Sequence, residues 1–356
     1  MRMATDGKPV KGRGAQEQVR NRFQQHSYGV VHWEGIDELD EEVGATRYVV
    51  ETARSIVNEV NSPDLSFKWS MNPYQGCEHG CAYCYARPTH EYWGYSAGLD
   101  FERVILMKSN APELLEARLR SRSWVPDTIM LSGNTDCYQP VERKEGITRR
   151  LLEVLHRFRN PVGIITKNAL VLRDLDILRE MAAEGLAHVA ISITTLDEDL
   201  RRVMEPRTST AAHRLRAMET LSHAGVPTMV MVAPVIPGLN DKDIPAVLKA
   251  AADAGARAAG YTVVRTNGAV APVFERWLRT HYPDRADKVL MQIRELHGGQ
   301  VEDTKSGRRM RGEGAHAGSI NRLFKVMRSR YFQGRSLTTL DTMRFRVPPS
   351  GQLDLF

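Results

Sequence analysis

Residues 77–84 read Cys77-Glu-His-Gly-Cys81-Ala-Tyr-Cys84 and contain three of the four cysteines in the chain. The spacing places three thiols on one loop, where they can serve one metal centre. Three thiolates are one fewer than the four that complete a structural zinc site or an ordinary [4Fe–4S] site. The residues leave two interpretations open: a zinc site completed by Cys137 or a histidine, and an iron–sulfur cluster with one position free for another molecule.

Apolar, strand-like runs alternate with helical patterns from residue 67 onward. The runs cover residues 67–72, 128–132, 162–166, 188–194, 228–235 and 258–264. Helical patterns, with apolar residues three and four apart, cover residues 147–158, 174–184, 211–224 and 244–254. Apolar strands separated by helices indicate a parallel sheet covered by helices. We therefore predict an α/β fold, a partial (β/α)6 barrel of the TIM type, with its chemistry at the carboxyl ends of the strands.

The remaining sequence extends this barrel at both ends. We place an N-terminal extension at residues 1–65, the barrel at 66–283, a basic helical segment at 284–346 and an exposed tail at 347–356. Within the first extension, Lys11-Gly-Arg-Gly-Ala15 has the composition of a flexible basic loop. The chain has no run of 18 or more apolar residues and no apolar leader, so we expect no membrane segment and a cytoplasmic location.

The cysteine loop, residues 77–84, resembles the C-x3-C-x2-C signature of the radical S-adenosylmethionine (SAM) superfamily. Tyr83, just before the third cysteine, matches an aromatic residue that is typical of these loops. The resemblance implies that Cys77, Cys81 and Cys84 hold a [4Fe–4S] cluster whose free iron chelates the amino and carboxylate groups of SAM. One electron, from a donor such as flavodoxin or ferredoxin, would then cleave SAM to a 5′-deoxyadenosyl radical that abstracts hydrogen from a substrate.

Polar residues follow the carboxyl ends of the predicted strands, and the same resemblance makes them candidates to bind SAM. The Gly-rich turn after the second strand would receive the amino group, Lys167 would neutralise the carboxylate, and Ser192 would bond the ribose. Taken alone, each is equally an ordinary residue of a loop between a strand and a helix. The candidate SAM-binding residues are Gly133, Asn134, Lys167, Ser192, Glu205, Arg207 and Ile236.

Within that superfamily, the chain resembles the spore photoproduct lyase-like branch. The motifs that carry this resemblance are residues 77–85, 135–140, 166–167, 192–196, 205–207 and 237–241. The resemblance implies that Cys137 returns hydrogen to a product radical and that Tyr83 and Tyr85 relay it. Cys137 lies several residues beyond the position of the lyase cysteine, and its alternative interpretation is a small buried hydrophobic residue.

Positive charge is concentrated toward the C-terminus. Between Lys305 and Arg346 there are eleven Lys and Arg residues and two acids, an excess of nine charges compared with +6 for the whole chain. Such an excess predicts a surface for a polyanion such as DNA, although a solvated helix face has the same composition. The candidate DNA-binding residues, on one predicted helix, are Arg322, Lys325, Arg328 and Arg330.

The chain ends Gln352-Leu-Asp-Leu-Phe356, which resembles the pentapeptide through which bacterial polymerases and repair proteins bind the DNA sliding clamp. Leu355 and Phe356 would be the apolar anchors of such a peptide. The alternative is a hydrophobic end that folds back onto the barrel. The candidate clamp-binding residues are Gln352, Leu353, Asp354, Leu355 and Phe356.

Together these features predict a lyase-like radical SAM enzyme that cleaves SAM reductively at a [4Fe–4S] cluster and acts on DNA, repairing a damaged base. A first alternative is the same radical chemistry on RNA, a peptide or a small molecule. A second alternative is a metal-stapled nucleic-acid adaptor without catalysis. The fold class alone does not distinguish these functions, because one scaffold supports many reactions.

Overall fold

Two sheets form the framework of residues 9–24 and 45–349, the part of the chain that the computed structural model describes. In chain order the strands are β1 (Arg47–Glu51), β2 (Val57–Glu59), β3 (Trp69–Met71), β4 (Tyr74–Gln75), β5 (Val104–Lys108), β6 (Ile129–Leu131), β7 (Val162–Thr166), β8 (Ala187–Ser192), β9 (Thr228–Val235) and β10 (Ala258–Val263).

The larger sheet has seven strands in the order β10-β9-β8-β7-β6-β3-β2. The first six strands in this order pair in parallel, and β2 joins the edge antiparallel to β3. Each parallel strand coincides with a predicted apolar run, and within the described residues no pairing between β10 and β2 closes the sheet. The prediction of an α/β fold with a partial barrel is therefore confirmed.

Helices follow the parallel strands and cover the sheet. In chain order they are α1 (Asp100–Arg103), α2 (Ala111–Arg120), α3 (Glu142–Glu145), α4 (Ile147–Phe158), α5 (Leu175–Ala183), α6 (Glu198–Met204), α7 (Ala211–His223), α8 (Ile244–Asp253), α9 (Val270–His281), α10 (Pro283–Leu296), α11 (Arg308–Arg311) and α12 (Gly314–Phe332). The four predicted helices are α4, α5, α7 and α8. In α4, for example, Leu151, Leu155 and Phe158 recur at helical spacing and are fully buried. None of the helices in the described part combines the length and apolar character needed to cross a bilayer.

The smaller sheet, of order β1-β5-β4, has no counterpart among the predicted strands. Its central strand β5 pairs in parallel with β1 and antiparallel with the two-residue β4. The prediction of a flexible loop at residues 11–15 is also wrong, because Arg13 and Ala15 are buried. The backbone N–H groups of Gly14 and Ala15 donate to the Glu102 carboxylate at 3.2 and 2.7 Å, which fixes this segment against α1.

A hydrophobic core separate from the main one lies at the carboxyl end of the large sheet. It joins α9 and α10 to the cysteine loop and includes Cys81, Tyr83 and Trp277. Trp277 is fully buried, and its indole Nε1 donates to the Val203 carbonyl at 2.8 Å. This second core forms one wall around the cysteine loop.

The last described residues cross the opposite face, where the parallel strands begin. Arg335 Nη1 donates to the Ala252 carbonyl oxygen at 2.7 Å, at the end of α8. We call residues 335–348 the C-terminal strap. Three further hydrogen bonds connect the strap to segments that precede β8, β7 and β6. Asp341 N donates to the Gly185 carbonyl oxygen, Arg346 N donates to the Phe158 carbonyl oxygen, and Arg120 Nη1 donates to the Pro348 carbonyl oxygen.

Candidate functional site

The cysteine loop lies across the carboxyl ends of the parallel strands. It follows β4 and leads into a 3-10 helix at Arg87–Trp93. The carboxyl ends of parallel strands share one edge of a sheet, which is where the sequence predicts the chemistry. The loop contacts the segments that follow three of these strands. His79 contacts Asp136, which follows β6, and Asn168, which follows β7, and Ala82 contacts Met204, which follows β8. Tyr85, the residue after the loop, contacts Gly133, which also follows β6.

A buried ion pair fixes the conformation of the loop. The Arg87 guanidinium donates from Nε and Nη2 to the Cys81 carbonyl oxygen at 3.1 and 2.8 Å. The same Nη2 lies 2.5 Å from Glu102 Oε1, and neither side chain is exposed. Because Glu102 also binds the N–H groups of Gly14 and Ala15, one carboxylate connects the N-terminal segment to the loop.

Two glycines permit this close approach. Gly80 has φ +62°, and a Cβ at this position would lie 2.6 Å from Glu102 Oε2. A Cβ on Gly14 would lie 1.8 Å from the Gly80 carbonyl oxygen. A side chain on Gly14 would therefore force the N-terminal segment away from the loop, and a side chain on Gly80 would displace the Glu102 carboxylate that joins the two.

The three thiols of the loop are the donors available to a metal cluster. Cys77 and Cys81 are buried and Cys84 is half-buried. Burial raises the pKa of each thiol, so binding of a cluster, which needs thiolates, is coupled to proton release. Within residues 9–24 and 45–349 no three His, Cys, Asp or Glu side chains converge as ligands of one ion. A cubane cluster does not require such convergence, because each thiolate binds a different iron.

Tyr83 and Glu205 form a buried hydrogen-bonded pair beside the third cysteine, in which the Tyr83 hydroxyl donates to Glu205 Oε1. Glu205 also accepts from Thr194 Oγ1 at 2.8 Å and from Arg214 Nη2 at 2.6 Å. Burial alone would raise the pKa of Glu205, but the charges of Arg214 and Lys167, together with the hydrogen bonds from Tyr83 and Arg214, lower the pKa to about 2. Glu205 is therefore an ionised internal counter-charge, and its contact with SAM stays a prediction.

Lys167 places positive charge next to the cysteine loop. Its Nζ donates to the Ala233 carbonyl oxygen at 3.3 Å and lies 5.8 Å from the centre of the Tyr83 ring. Its charge opposes the rise that burial causes in the pKa of Cys81 and Cys84. This position suits the predicted role of neutralising a carboxylate bound at the loop.

Tyr85 and Arg265 form the opposite side of the site. The Tyr85 ring is 49% exposed, and its hydroxyl donates to the Gly133 carbonyl oxygen at 2.5 Å. The Cζ of Arg265, just beyond β10, lies 4.5 Å from the centre of that ring. Within residues 9–24 and 45–349 no hydrogen bond or ion pair joins the Arg265 guanidinium to another group. Its charge is available to an anion at the mouth of the barrel, and no sequence pattern marked Arg265 as a site residue.

Asp136 and His79 are also missing from the predicted site. Asp136 accepts from Lys167 N at 2.7 Å and from Thr166 Oγ1 at 2.8 Å, and it lies 3.3 Å from His79 Nδ1. Burial would raise the pKa of Asp136, but His79 and the N–H donors lower it. Their positions in the sequence could have identified both residues as candidates, because His79 lies between two cysteines of the loop and Asp136 directly precedes Cys137.

Cys137 lies in the main hydrophobic core and is fully buried. Its backbone N–H donates to Ser132 Oγ at 2.6 Å, and its carbonyl accepts from Thr148 Oγ1 at 2.7 Å. No polar contact in the described part of the chain connects it with Tyr83 or Tyr85. These surroundings favour the interpretation as a small buried residue over that of a hydrogen donor.

Asn240 fixes the conformation of the turn after β9, and no sequence pattern marked this residue for the site. Its Oδ1 accepts from Ile236 N at 2.6 Å, and its Nδ2 donates to the Thr194 and Pro234 carbonyl oxygens at 2.8 and 3.0 Å. Ser192, the last residue of β8 and two residues before Thr194, is buried. Asn240 thus connects the ends of β8 and β9, where the candidate SAM-binding residues Ser192 and Ile236 lie.

Arg207 and Asn134 lie on separate sides of the predicted SAM site. Arg207 Nη1 lies 3.3 Å from Thr46 Oγ1 and 3.9 Å from Glu78 Oε1, so its contacts are with the N-terminal side of the loop. The backbone N–H of Asn134 donates to Asn72 Oδ1 at 2.8 Å, just after β3. None of these contacts joins Arg207 or Asn134 to Lys167, the residue predicted to neutralise the SAM carboxylate.

The four candidate DNA-binding residues are exposed on α12, which packs against α8 on the flank of the barrel. In the part of the chain that the structure describes, no ion pair joins any of the four to an acid. By contrast, Arg308 and Arg309 are paired, with Asp303 at 2.7 Å and Asp64 at 2.5 Å. The predicted clamp-binding residues, 352–356, lie outside the described residues.

Comparison with known sequences identifies related proteins. A family model described as the radical SAM superfamily matches residues 71–251. An uncharacterised protein of Mycobacterium tuberculosis is 34% identical over 247 residues, which are 68% of this chain and 72% of the relative. An uncharacterised protein of Methanocaldococcus jannaschii is 28% identical over 189 residues, 53% of this chain and 68% of the relative.

Solved structures share the fold. Spore photoproduct lyase complexed with dinucleoside spore photoproduct matches with a TM-score of 0.58 at 17% identity, over 81% of this chain and 80% of the lyase chain. A mutant of the lyase with bound AdoMet (SAM) and the same dinucleoside matches with a TM-score of 0.54 at 16% identity, over the same shares of both chains. At these identities the likeness is one of fold.

Proposed function

This chain belongs to the radical SAM superfamily, and we propose that it is an enzyme that cleaves SAM reductively at a [4Fe–4S] cluster and acts on DNA, repairing a damaged base. The position of the cysteine loop is the observation that carries this proposal. The loop presents Cys77, Cys81 and Cys84 at the carboxyl ends of six parallel strands, beside Lys167. These three donors fit a cluster with one iron left for SAM.

When bound, the cluster and SAM would supply a carbon radical that removes a hydrogen atom from the substrate. The chain supplies position and shielding: Arg87 fixes the loop, and the second core excludes water from one side. Lys167 would offset the negative charge of the SAM carboxylate. Burial raises the pKa of Tyr83, whose proton points at Glu205, so Tyr83 remains a neutral phenol. A neutral phenol is the form that can pass on a hydrogen atom, which is the relay role we propose for Tyr83 and Tyr85.

Three observations support DNA as the substrate. The lyase of similar fold was solved with a dinucleoside photoproduct. The Arg265 guanidinium lies at the mouth of the barrel over Tyr85. The exposed arginines and lysine of α12 offer further positive charge, and such side chains bind DNA by neutralising phosphates and releasing counterions.

We extend the proposal to the partners. Residues 352–356 match a clamp-binding peptide in sequence, so we propose the bacterial DNA sliding clamp as a partner. A flavodoxin or ferredoxin would supply the electron, and the cytoplasm is the proposed location.

Two measurements test the proposed function. After anaerobic purification we expect about four iron and four sulfide ions per chain. Zinc without sulfide would overturn the proposal and favour a non-catalytic adaptor. The second measurement is the yield of 5′-deoxyadenosine with damaged duplex DNA, undamaged duplex DNA and RNA. A yield raised only by damaged DNA supports repair, whereas an equal yield in all samples moves the substrate to another class.

A further inference from the structure

Among the described residues, no ion pair or hydrogen bond reaches the guanidinium of Arg265 at the mouth of the barrel. The side chain is half-buried, and burial lowers its pKa. The nearby acid Asp64 is occupied by other donors, because it accepts from Gly307 N at 2.6 Å and from Arg309 Nε at 2.5 Å. A guanidinium that is partly withdrawn from water without an acceptor costs free energy, which a bound anion would recover.

The loop that carries Arg265 is held in place directly after β10. Thr266 Oγ1 donates to the Val301 carbonyl oxygen at 2.5 Å. Asn267 exchanges two hydrogen bonds with the backbone of Asp303, at 2.8 and 3.0 Å. The backbone of Arg265 is therefore fixed between a strand and an anchored segment before any ligand binds, which lowers the entropy cost of binding.

The Arg265 guanidinium lies over the ring of Tyr85, the residue that follows the third cysteine of the loop. Its Cζ is 4.5 Å from the ring centre, and the Tyr85 hydroxyl donates to the Gly133 carbonyl oxygen at 2.5 Å. The ring is thus held from two sides, yet 49% of the residue remains exposed. An exposed aromatic ring in a fixed orientation is a surface on which a nucleobase stacks.

The contact between an exposed ring and an unpaired guanidinium has the chemistry of a nucleotide site. In a nucleic-acid strand each base is joined through its sugar to a phosphate, so a base that stacks on Tyr85 brings a phosphate close to Arg265. The guanidinium fork matches phosphate geometry, because two of its N–H groups can bind two oxygens of one phosphate at once. The two side chains therefore suit a ligand that carries a ring and a phosphate together.

We infer that Arg265 binds a phosphodiester of the substrate and that the adjoining base stacks on Tyr85, next to Cys84. Binding is non-covalent, and no bond forms or breaks. The site selects a phosphate-linked nucleotide over a free base, a nucleoside or a peptide. The inference rests on the proposed function, because it defines which group of a DNA substrate the mouth of the barrel holds.

Two dinucleotides that differ by one charge test the inference. The first is thymidylyl-thymidine with its natural phosphodiester, and the second is the same molecule with a neutral methylphosphonate linkage. Calorimetry with the cluster-loaded, oxidised protein in the presence of SAM measures both affinities. Arg265→Gln removes the charge of the guanidinium, whereas Arg265→Lys keeps the charge and removes the planar fork.

A matched control lies where the strands begin. Arg118 is half-buried like Arg265, has no ion pair in the described part of the chain, and has its Cζ 5.4 and 5.3 Å from the ring centres of Trp69 and Trp124. Trp69 is the first residue of β3, so this contact is not at the carboxyl ends of the strands. Arg118→Gln removes an arginine from a comparable cation–aromatic contact, and we expect it to change neither affinity.

The unmodified protein is expected to bind the phosphodiester about tenfold more tightly than the methylphosphonate. Arg265→Gln should weaken the phosphodiester about tenfold and leave the methylphosphonate unchanged, so that the preference disappears. Arg265→Lys should keep part of the preference, and Tyr85→Leu should weaken both ligands equally because both stack on the ring. Iron content and melting temperature should be unchanged in Arg265→Gln, since no described residue is hydrogen-bonded to this guanidinium.

Equal affinities of the unmodified protein for the two dinucleotides would overturn the assignment of Arg265, and so would an equal loss of both in Arg265→Gln, which would make the arginine a support of the ring. An acetylated aspartyl peptide that binds through Arg265, with no preference between the dinucleotides, would move the ligand to carboxylates. A protein that binds duplex DNA but neither dinucleotide would refute the inference alone. Failure to bind duplex DNA as well would refute the DNA substrate of the proposed function.

Discussion

Arg87 Nη2 lies 2.5 Å from Glu102 Oε1, and both side chains are completely buried where the N-terminal segment meets the cysteine loop. The arginine also binds the Cys81 carbonyl, and the glutamate binds the backbone of Gly14 and Ala15. The conformation of a proposed cluster ligand thus depends on residues far apart in the sequence. A buried pair of this kind contributes most visibly when one partner is removed, because the other charge is left without compensation.

The first prediction follows from that pair. Glu102→Gln is expected to destabilise the fold by about 3–5 kcal/mol and to reduce iron content, since the Arg87 charge stays buried. Urea unfolding and iron analysis measure the two effects. Glu153→Gln, which removes an exposed partner of Arg149, is the control and should change neither. Equal effects of the two variants would contradict the structural role of Glu102.

The second prediction concerns the thiols. Replacing Cys77, Cys81 or Cys84 by Ala is expected to abolish cluster assembly and SAM cleavage, because two thiolates do not hold the cluster. Cys137→Ala should keep both, since Cys137 lies in the main core. Iron content and 5′-deoxyadenosine formation are the measurements. Loss of iron in Cys137→Ala, with iron retained in one of the other variants, would reverse the assignment.

The third prediction concerns pH. The pKa of Glu205 is lowered from 4.5 to about 2 in the folded chain. A lowered carboxyl pKa adds stability above pH 4.5, and this stability is lost as the pH falls from 4.5 toward 2. Glu205→Gln should therefore be less stable at neutral pH and show a flatter dependence of unfolding free energy on pH in this window. Urea unfolding of the cluster-free chain measures it, and an unchanged slope would argue that Glu205 is not ionised in the fold.

The fourth prediction concerns DNA. Replacing Arg322, Lys325, Arg328 and Arg330 together by Gln should weaken binding to duplex DNA. Every phosphate that is no longer neutralised should reduce the slope of log affinity against log salt by about 0.9. A titration at several salt concentrations measures this slope. If affinity and slope stay the same, these residues form a solvated helix face.

The fifth prediction concerns the tail. Deleting residues 352–356, or replacing Leu355 and Phe356 by Ala, should abolish binding to purified sliding clamp. Iron content, melting temperature and SAM cleavage should be unchanged if the peptide is a separate docking element. Calorimetry with the clamp and a melting curve are the measurements. A truncation that unfolds the barrel would show that the tail belongs to the fold.

Local sequence patterns predicted the parallel sheet because each of its strands is an apolar run next to a helix. They missed β1, β4 and β5, whose pairing joins residues 47–51 to 104–108 and depends on no local repeat. They also predicted a flexible loop at residues 11–15, because Gly and Arg are common in such loops. In the fold, the backbone N–H groups of Gly14 and Ala15 donate to the distant Glu102 carboxylate, which fixes the segment.

The candidate site likewise divides into residues that a local sequence pattern reveals and residues whose partners are distant in the sequence. The thiols were predictable because their spacing is local. The supporting charges were not predictable, because the ion-pair partner of Glu205 is Arg214, which lies on α7 at 2.6 Å. Arg87 and Arg265 were equally hidden, since a buried arginine and a surface arginine look alike in a sequence. Their roles depend on the acids and rings that the fold brings to them.

The C-terminal strap fastens the chain beneath the strands, and Pro348 accepts from Arg120 Nη1 on α2 at 2.9 Å. The chain therefore departs from the side of the sheet that faces away from the cysteine loop. If the proposed sliding clamp binds residues 352–356, the strap would connect it to the end of the barrel where the strands begin, whereas the proposed substrate would enter at the other end. Clamp and substrate would then not compete for one surface of the barrel.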